Sequence, residues 1–102
     1  MTDRVKIEFQ RSGGFAGTTL ATSVDAGDLP QTEAEELGEL VERADLPALS
    51  ERPRRPGGPD RFQYDLAVTL GDRRYQVTVG EAEVPETLRP LLDRLLELAR
   101  RG

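Results

Sequence analysis

The 102-residue chain contains no cysteine and no histidine. Without cysteine there is no disulfide to staple the fold, no thiolate nucleophile and no soft metal ligand. Without histidine the commonest general base, the usual zinc ligand and every Ser-His or Cys-His arrangement are gone at once. Lysine is nearly absent as well: Lys6 is the single one among 14 cations, and the rest are arginine. No apolar run approaches the roughly 18 residues that a bilayer-spanning helix needs. The opening "MTDRVKIEF" lacks the apolar stretch of a signal peptide. These absences set the first expectations: a cytoplasmic protein with no membrane partner and no metal.

What is present sets the scale. A chain of this length can bury roughly two thirds of its unfolded surface, enough for one modest core. Apolar residues make up 36% and charged residues 32%, which suits a thin two-layer architecture better than a deep interior enclosing a cofactor. No cofactor is expected. The net charge of −5 repels phosphate backbones, so no nucleic acid is expected as a partner. Only "ERPRRPGG" concentrates positive charge, and three arginines beside a glutamate do not make a basic face.

Periodicity then places the elements. "RVKIEFQR" alternates, with Val5, Ile7 and Phe9 on one side and Lys6, Glu8 and Gln10 on the other, as a half-buried strand does. After the loop "RSGGFAGTT", the stretch "TTLATSVD" puts Leu20 and Val24 on one face with Thr22 between them, so the two runs form a hairpin. "TEAEELGELVERAD" opens with Thr32 three residues before Glu35, a capping-box spacing. It carries Ala34, Leu37, Leu40, Val41 and Ala44 as one helical stripe. Residues 46–60, rich in proline, glycine and arginine, are expected to be a flexible loop. "RFQYDLAVTL", Gly71-Asp72 and "RRYQVTV" spell a second hairpin. The closing "VPETLRPLLDRLLELARR" is helical from near Glu86 or Thr87, with Leu88, Leu91, Leu92, Leu95 and Leu98 in register.

The expected fold is therefore α+β. One domain over residues 1–102 holds a four-stranded antiparallel sheet in ββαββα order, with two helices packed on one face and the flexible loop at 46–60. Strand order in the sheet stays open.

A search for chemistry returns little. The acid clusters Glu35-Glu36-Glu39 and Glu81-Glu83-Glu86 occupy a helix start and a solvated turn, where acids are favoured for structural reasons. Asp65 falls on the polar side of its strand. "GGFAG" is no phosphate loop, because it has no lysine and leads into a strand instead of a helix N-terminus. An aromatic RNA-binding surface is disfavoured by the charge, and Phe62 and Tyr64 have a core to fill. The chain is expected not to be an enzyme, with no catalytic residue to nominate.

Phe15 remains, alone among glycines at a loop tip. Either it folds back over the open end of the hairpin, or the glycines keep neighbours away so that one large apolar side chain can enter a partner's cleft. The motifs "RSGGFAG" after a first strand, "FQYDL" opening the third and "VPETLRPLLDRL" in the last helix together resemble the emfourin family, small bacterial inhibitors of thermolysin-like (M4) zinc metalloproteases. The resemblance spans nearly the whole chain. It implies inhibition of such a protease, with Arg11, Ser12, Gly13, Gly14, Phe15, Ala16 and Gly17 as the protease-binding segment. Phe62, Gln63, Tyr64 and Asp65 form a second block. Enzymes of that class favour a large apolar side chain on the primed side of the cut, which Phe15 would supply. Occlusion of the cleft by this loop, from a scaffold that is monomeric when free, is the expected mode. A non-inhibitory interaction or regulatory module is the alternative.

Overall fold

Alternation in the first strand is set by one covered face and one wet face. In the computed structural model, which describes residues 5–13, 19–51 and 61–101, Val5, Ile7 and Phe9 are buried while Lys6, Glu8 and Gln10 are exposed. This strand, β1 (Val5–Gly13), pairs antiparallel on both sides, with β2 (Leu20–Asp25) and with β3 (Phe62–Leu70). The last strand, β4 (Arg73–Gly80), pairs antiparallel with β3, which closes a four-stranded sheet in the order β2-β1-β3-β4. The long-range β1–β3 pairing is the joint between the two hairpins. Gly71 opens the β3–β4 turn with φ of +63°, and among the described residues of that turn it alone is left-handed, as a two-residue turn with glycine first requires.

One face of the sheet carries the core. Ile7, Phe9, Val24, Leu66, Val68, Val77 and Val79 project from the strands and meet Leu37, Val41, Leu88, Leu91, Leu92 and Leu95 from the helical layer. Each such side chain contributes about 1.5–3 kcal/mol relative to exposure, so this interface is the main source of stability. The helical layer consists of α1 (Gln31–Ala44), α2 (Leu46–Ser50) and α3 (Arg89–Arg101), and the α+β sandwich with an antiparallel sheet is as expected. Across the top of this layer, Arg94 meets Glu36 at 2.8 Å and Arg101 meets Glu33 at 3.2 Å, tying α3 to α1.

Three local expectations are corrected. The capping box at Thr32 does not form: α1 begins at Gln31 behind Pro30, no side chain caps it, and Gln31 Nε2 instead donates to Glu35 Oε1 at 3.3 Å. Proline ahead of the first turn fixes the entry φ, so the helix starts one residue before Thr32 could act as cap. The expected loop at 46–60 does not begin at residue 46, because Leu46–Ser50 is a helical turn with Leu46 and Leu49 buried. Pro47 sits in its first turn, where the missing donor costs nothing. Residues 52–60 of that expected loop lie outside the described residues. Finally, α3 starts at Arg89 and not at Glu86 or Thr87, with Pro90 as its second residue and Leu88 and Arg89 both donating to the Pro85 carbonyl.

The α1–α2 corner depends on one unusual backbone. Asp45 adopts φ of +54° and ψ of +58°, which ends α1 and redirects the chain into α2. Aspartate tolerates this left-handed conformation better than most non-glycine residues. The corner drops Leu46 into the core two residues after buried Ala44.

Candidate functional site: the loop-bearing end of the sheet

The second sequence block that carried the family resemblance lies beside the start of the first. Arg11 pairs with Tyr64, Ser12 with Gln63 and Gly13 with Phe62, so the last three residues of β1 and the first three of β3 form one end of the sheet. The expected binding segment therefore divides. Arg11, Ser12 and Gly13 are strand residues and half-buried; Gly14, Phe15, Ala16 and Gly17 lie outside the described residues.

Gly13 has no freedom to be anything else. Its φ is +94°, and a Cβ built there would stand 2.6 Å from the Arg61 carbonyl oxygen, well inside contact distance. The absent side chain lets the β3 entry press against the β1 exit, which fixes the direction in which the chain leaves the sheet. Nothing in the sequence distinguished Gly13 from its glycine neighbours, because the demand comes from a residue 48 positions away.

The side chains on the helix-facing side of this end stack in a short ladder. Phe9 and Tyr64 rings lie 6.2 Å apart with planes 18° from parallel, and the Arg11 guanidinium sits 4.3 Å from the centre of the Phe62 ring. Such a cation–ring contact, partly exposed, contributes about 0.5–1 kcal/mol and holds Arg11 along the strand instead of free in solvent. The expectation that Tyr64 fills the core is met in part, since it packs half-buried against the core's margin. Phe62 is half-buried beneath Arg11.

The opposite side of the same end is polar and closed on itself. Asp65 accepts a hydrogen bond from Thr78 Oγ1 at 2.8 Å, which ties β3 to β4, and another from Gln63 Nε2 at 3.1 Å within β3, so both carboxylate oxygens are engaged. Asp65 is half-buried and structural in role, not the freely solvated residue that its position in the alternation suggested. Glu81, expected only as one of the acids of a solvated turn, has a specific partner. Its Oε1 accepts from the Phe62 backbone N–H at 3.1 Å, supplying the acceptor that β4 would have offered had it run on. No sequence signal marks a carboxylate that caps a strand 19 residues upstream.

Among the described residues, no three His, Cys, Asp or Glu side chains gather to hold a metal, and no helix is long and apolar enough to cross a membrane. The arrangement holds the exit of β1 and the entry of β3 at fixed geometry. It defines a class: a small α+β scaffold with the end of β1 and the start of β3 held together at one end of an antiparallel sheet. The chain belongs to the Emfourin family, which it matches over residues 9–96. Among solved structures it is similar to emfourin (M4in) from Serratia proteamaculans, described as an M4 family peptidase inhibitor. The identity is 22%, the TM-score 0.49, and the likeness covers 87% of this chain and 85% of that one. No curated protein matches the sequence.

Proposed function

We propose that this protein inhibits a thermolysin-like (M4) zinc metalloprotease, and that it does so by placing the segment Arg11–Gly17 in the substrate cleft with Phe15 as its apolar anchor. Family membership over residues 9–96 supports the inhibitory role. The observation that carries the mode of action is the bracing of the loop's root: Gly13 is locked against Arg61, and Glu81 fixes the start of the neighbouring strand. A loop whose ends are already ordered loses less entropy on binding, and so retains more of its contact energy as affinity. The chain has no histidine or thiol to capture the protease's zinc, so the inhibition is occlusion of the cleft and not removal of the metal. On this reading the free inhibitor is a monomer acting in the cytoplasm.

The test is a Phe15→Ala variant titrated against a thermolysin-like protease with a fluorogenic peptide substrate. Inhibition is expected to weaken tenfold or more, about 1.4 kcal/mol or more of binding, while the melting temperature stays within a few degrees of wild type. Full inhibition accompanied by a large drop in melting temperature would return Phe15 to the core. Co-elution with the protease without any loss of turnover would replace the inhibitor with the non-inhibitory module.

A further inference from the structure

At the other end of the sheet, where Val5 pairs with Leu70, an open groove of about 970 Å³ runs between α1, the α1–α2 corner and the strand ends. Eight residue steps along β1 separate it from Gly13, which at about 3.3 Å per residue is roughly 26 Å. Its floor is apolar and small, made by Val5, Ala34, Gly38, Val41, Leu46 and Leu70. Its rim is acidic, made by Glu35, Glu39, Glu42 and Asp45.

Two features separate this groove from an ordinary solvated face. The first is charge without partners. On α1, Glu33 and Glu36 each meet an arginine of α3, yet no cation among the described residues lies at ion-pair distance from Glu39, Glu42 or Asp45. The second is Gly38. A glycine inside a helix lowers stability by about 1 kcal/mol relative to alanine, and here, beyond its chain neighbours and the helix's own backbone, no atom lies within 4 Å of where its Cβ would be. The fold itself does not ask for that glycine; it keeps the middle of the groove floor open.

We propose that this groove is a second docking site, which takes a basic, partly apolar peptide segment of a partner protein. Apolar side chains of the segment would rest over Ala34 and Gly38 while its lysines or arginines meet the acidic rim, in the helix-face manner of amphipathic recognition. The volume is at the upper end of small-molecule pockets, about 300–1,000 Å³, and the groove is open along one side, which suits a chain segment more than an enclosed ligand. A second copy of this protein would bring the same rim and the same net charge of −5, which disfavours it as the occupant. The site is independent of the inhibitory loop.

The experiment uses the full-length protein and a fluorescein-labelled peptide with leucines at i, i+3, i+4 and i+7 and lysines between them, read by anisotropy at low and moderate salt. Glu39→Lys combined with Glu42→Lys is compared with Glu86→Lys combined with Asp93→Lys, which changes net charge equally on exposed positions away from the groove. Gly38→Leu fills the floor without meeting any atom of the fold at its first carbon. The groove pair and Gly38→Leu are each expected to weaken binding tenfold or more, the control pair less than threefold, and salt to weaken wild-type binding. Equal loss in the two charge pairs would reduce the effect to the overall field and overturn the site. Unchanged binding by a folded Gly38→Leu variant, or no binding by wild type, would overturn it as well. Phe15→Ala is expected to leave this binding intact while impairing inhibition, so the two readings fail separately.

Discussion

Replacing Gly13 with alanine sets the positional logic of the scaffold against a single methyl group. A non-glycine residue with left-handed φ costs about 1–2 kcal/mol, and +94° lies beyond the basin that even tolerant residues occupy. The new Cβ also meets the Arg61 carbonyl at 2.6 Å, and that neighbour is backbone, which cannot rotate aside. Shifting strand ends to relieve such overpacking adds about 1–3 kcal/mol. Together these give about 2–5 kcal/mol, limited at the upper end because the terminal Gly13–Phe62 pair can fray away from the sheet. For a domain of this size each kcal/mol moves the melting temperature by about 4–8 °C, so a fall of at least about 8 °C is expected in a far-ultraviolet circular dichroism melt. Gly38→Ala is the internal control: it has open space, negative φ and the helix propensity of alanine, and is expected to raise the melting temperature by a few degrees. A Gly13→Ala protein that melts within about 2 °C of wild type would refute the close approach of Arg61 and, with it, the braced root of the loop.

Asp65→Ala removes the acceptor for both Thr78 and Gln63 and is expected to destabilise by about 1.5–3 kcal/mol in urea unfolding. Arg101→Ala breaks two exposed pairs, to Glu33 and Glu97, and is expected to change stability by less than about 1 kcal/mol, with the difference from wild type shrinking further as salt is raised.

Which parts of this molecule could be read from its sequence follows from where each instruction is written. The alternation of β1 and β3, the Gly71-Asp72 turn and the leucine stripe of α3 are local signals, and each corresponds to an element of the fold. The order β2-β1-β3-β4 is not local: it depends on which hairpin edges meet once Ile7, Val68 and Leu91 share a core. The short helix α2 was masked by Pro47, since proline content argues for a loop unless the residue happens to sit in a first turn. The capping-box spacing at Thr32 was a local signal overridden by another, Pro30. The site shows the same division. Both of its sequence blocks were visible, but their juxtaposition, the glycine demanded by Arg61 and the cap supplied by Glu81 are products of pairing across dozens of residues.

The strand that leads into the loop is an interior strand of the sheet. β1 is zipped to β2 over six positions and to β3 over nine, and a slip of one residue would turn Val5, Ile7 and Phe9 out to water. Its alignment is thus dictated from both flanks, with no vote given to the residues at the tip. If the proposed mode of action holds, exchanging positions 14–17 for other peptides is expected to leave the frame standing, and retargeting toward a protease of different taste becomes a matter of rewriting four letters.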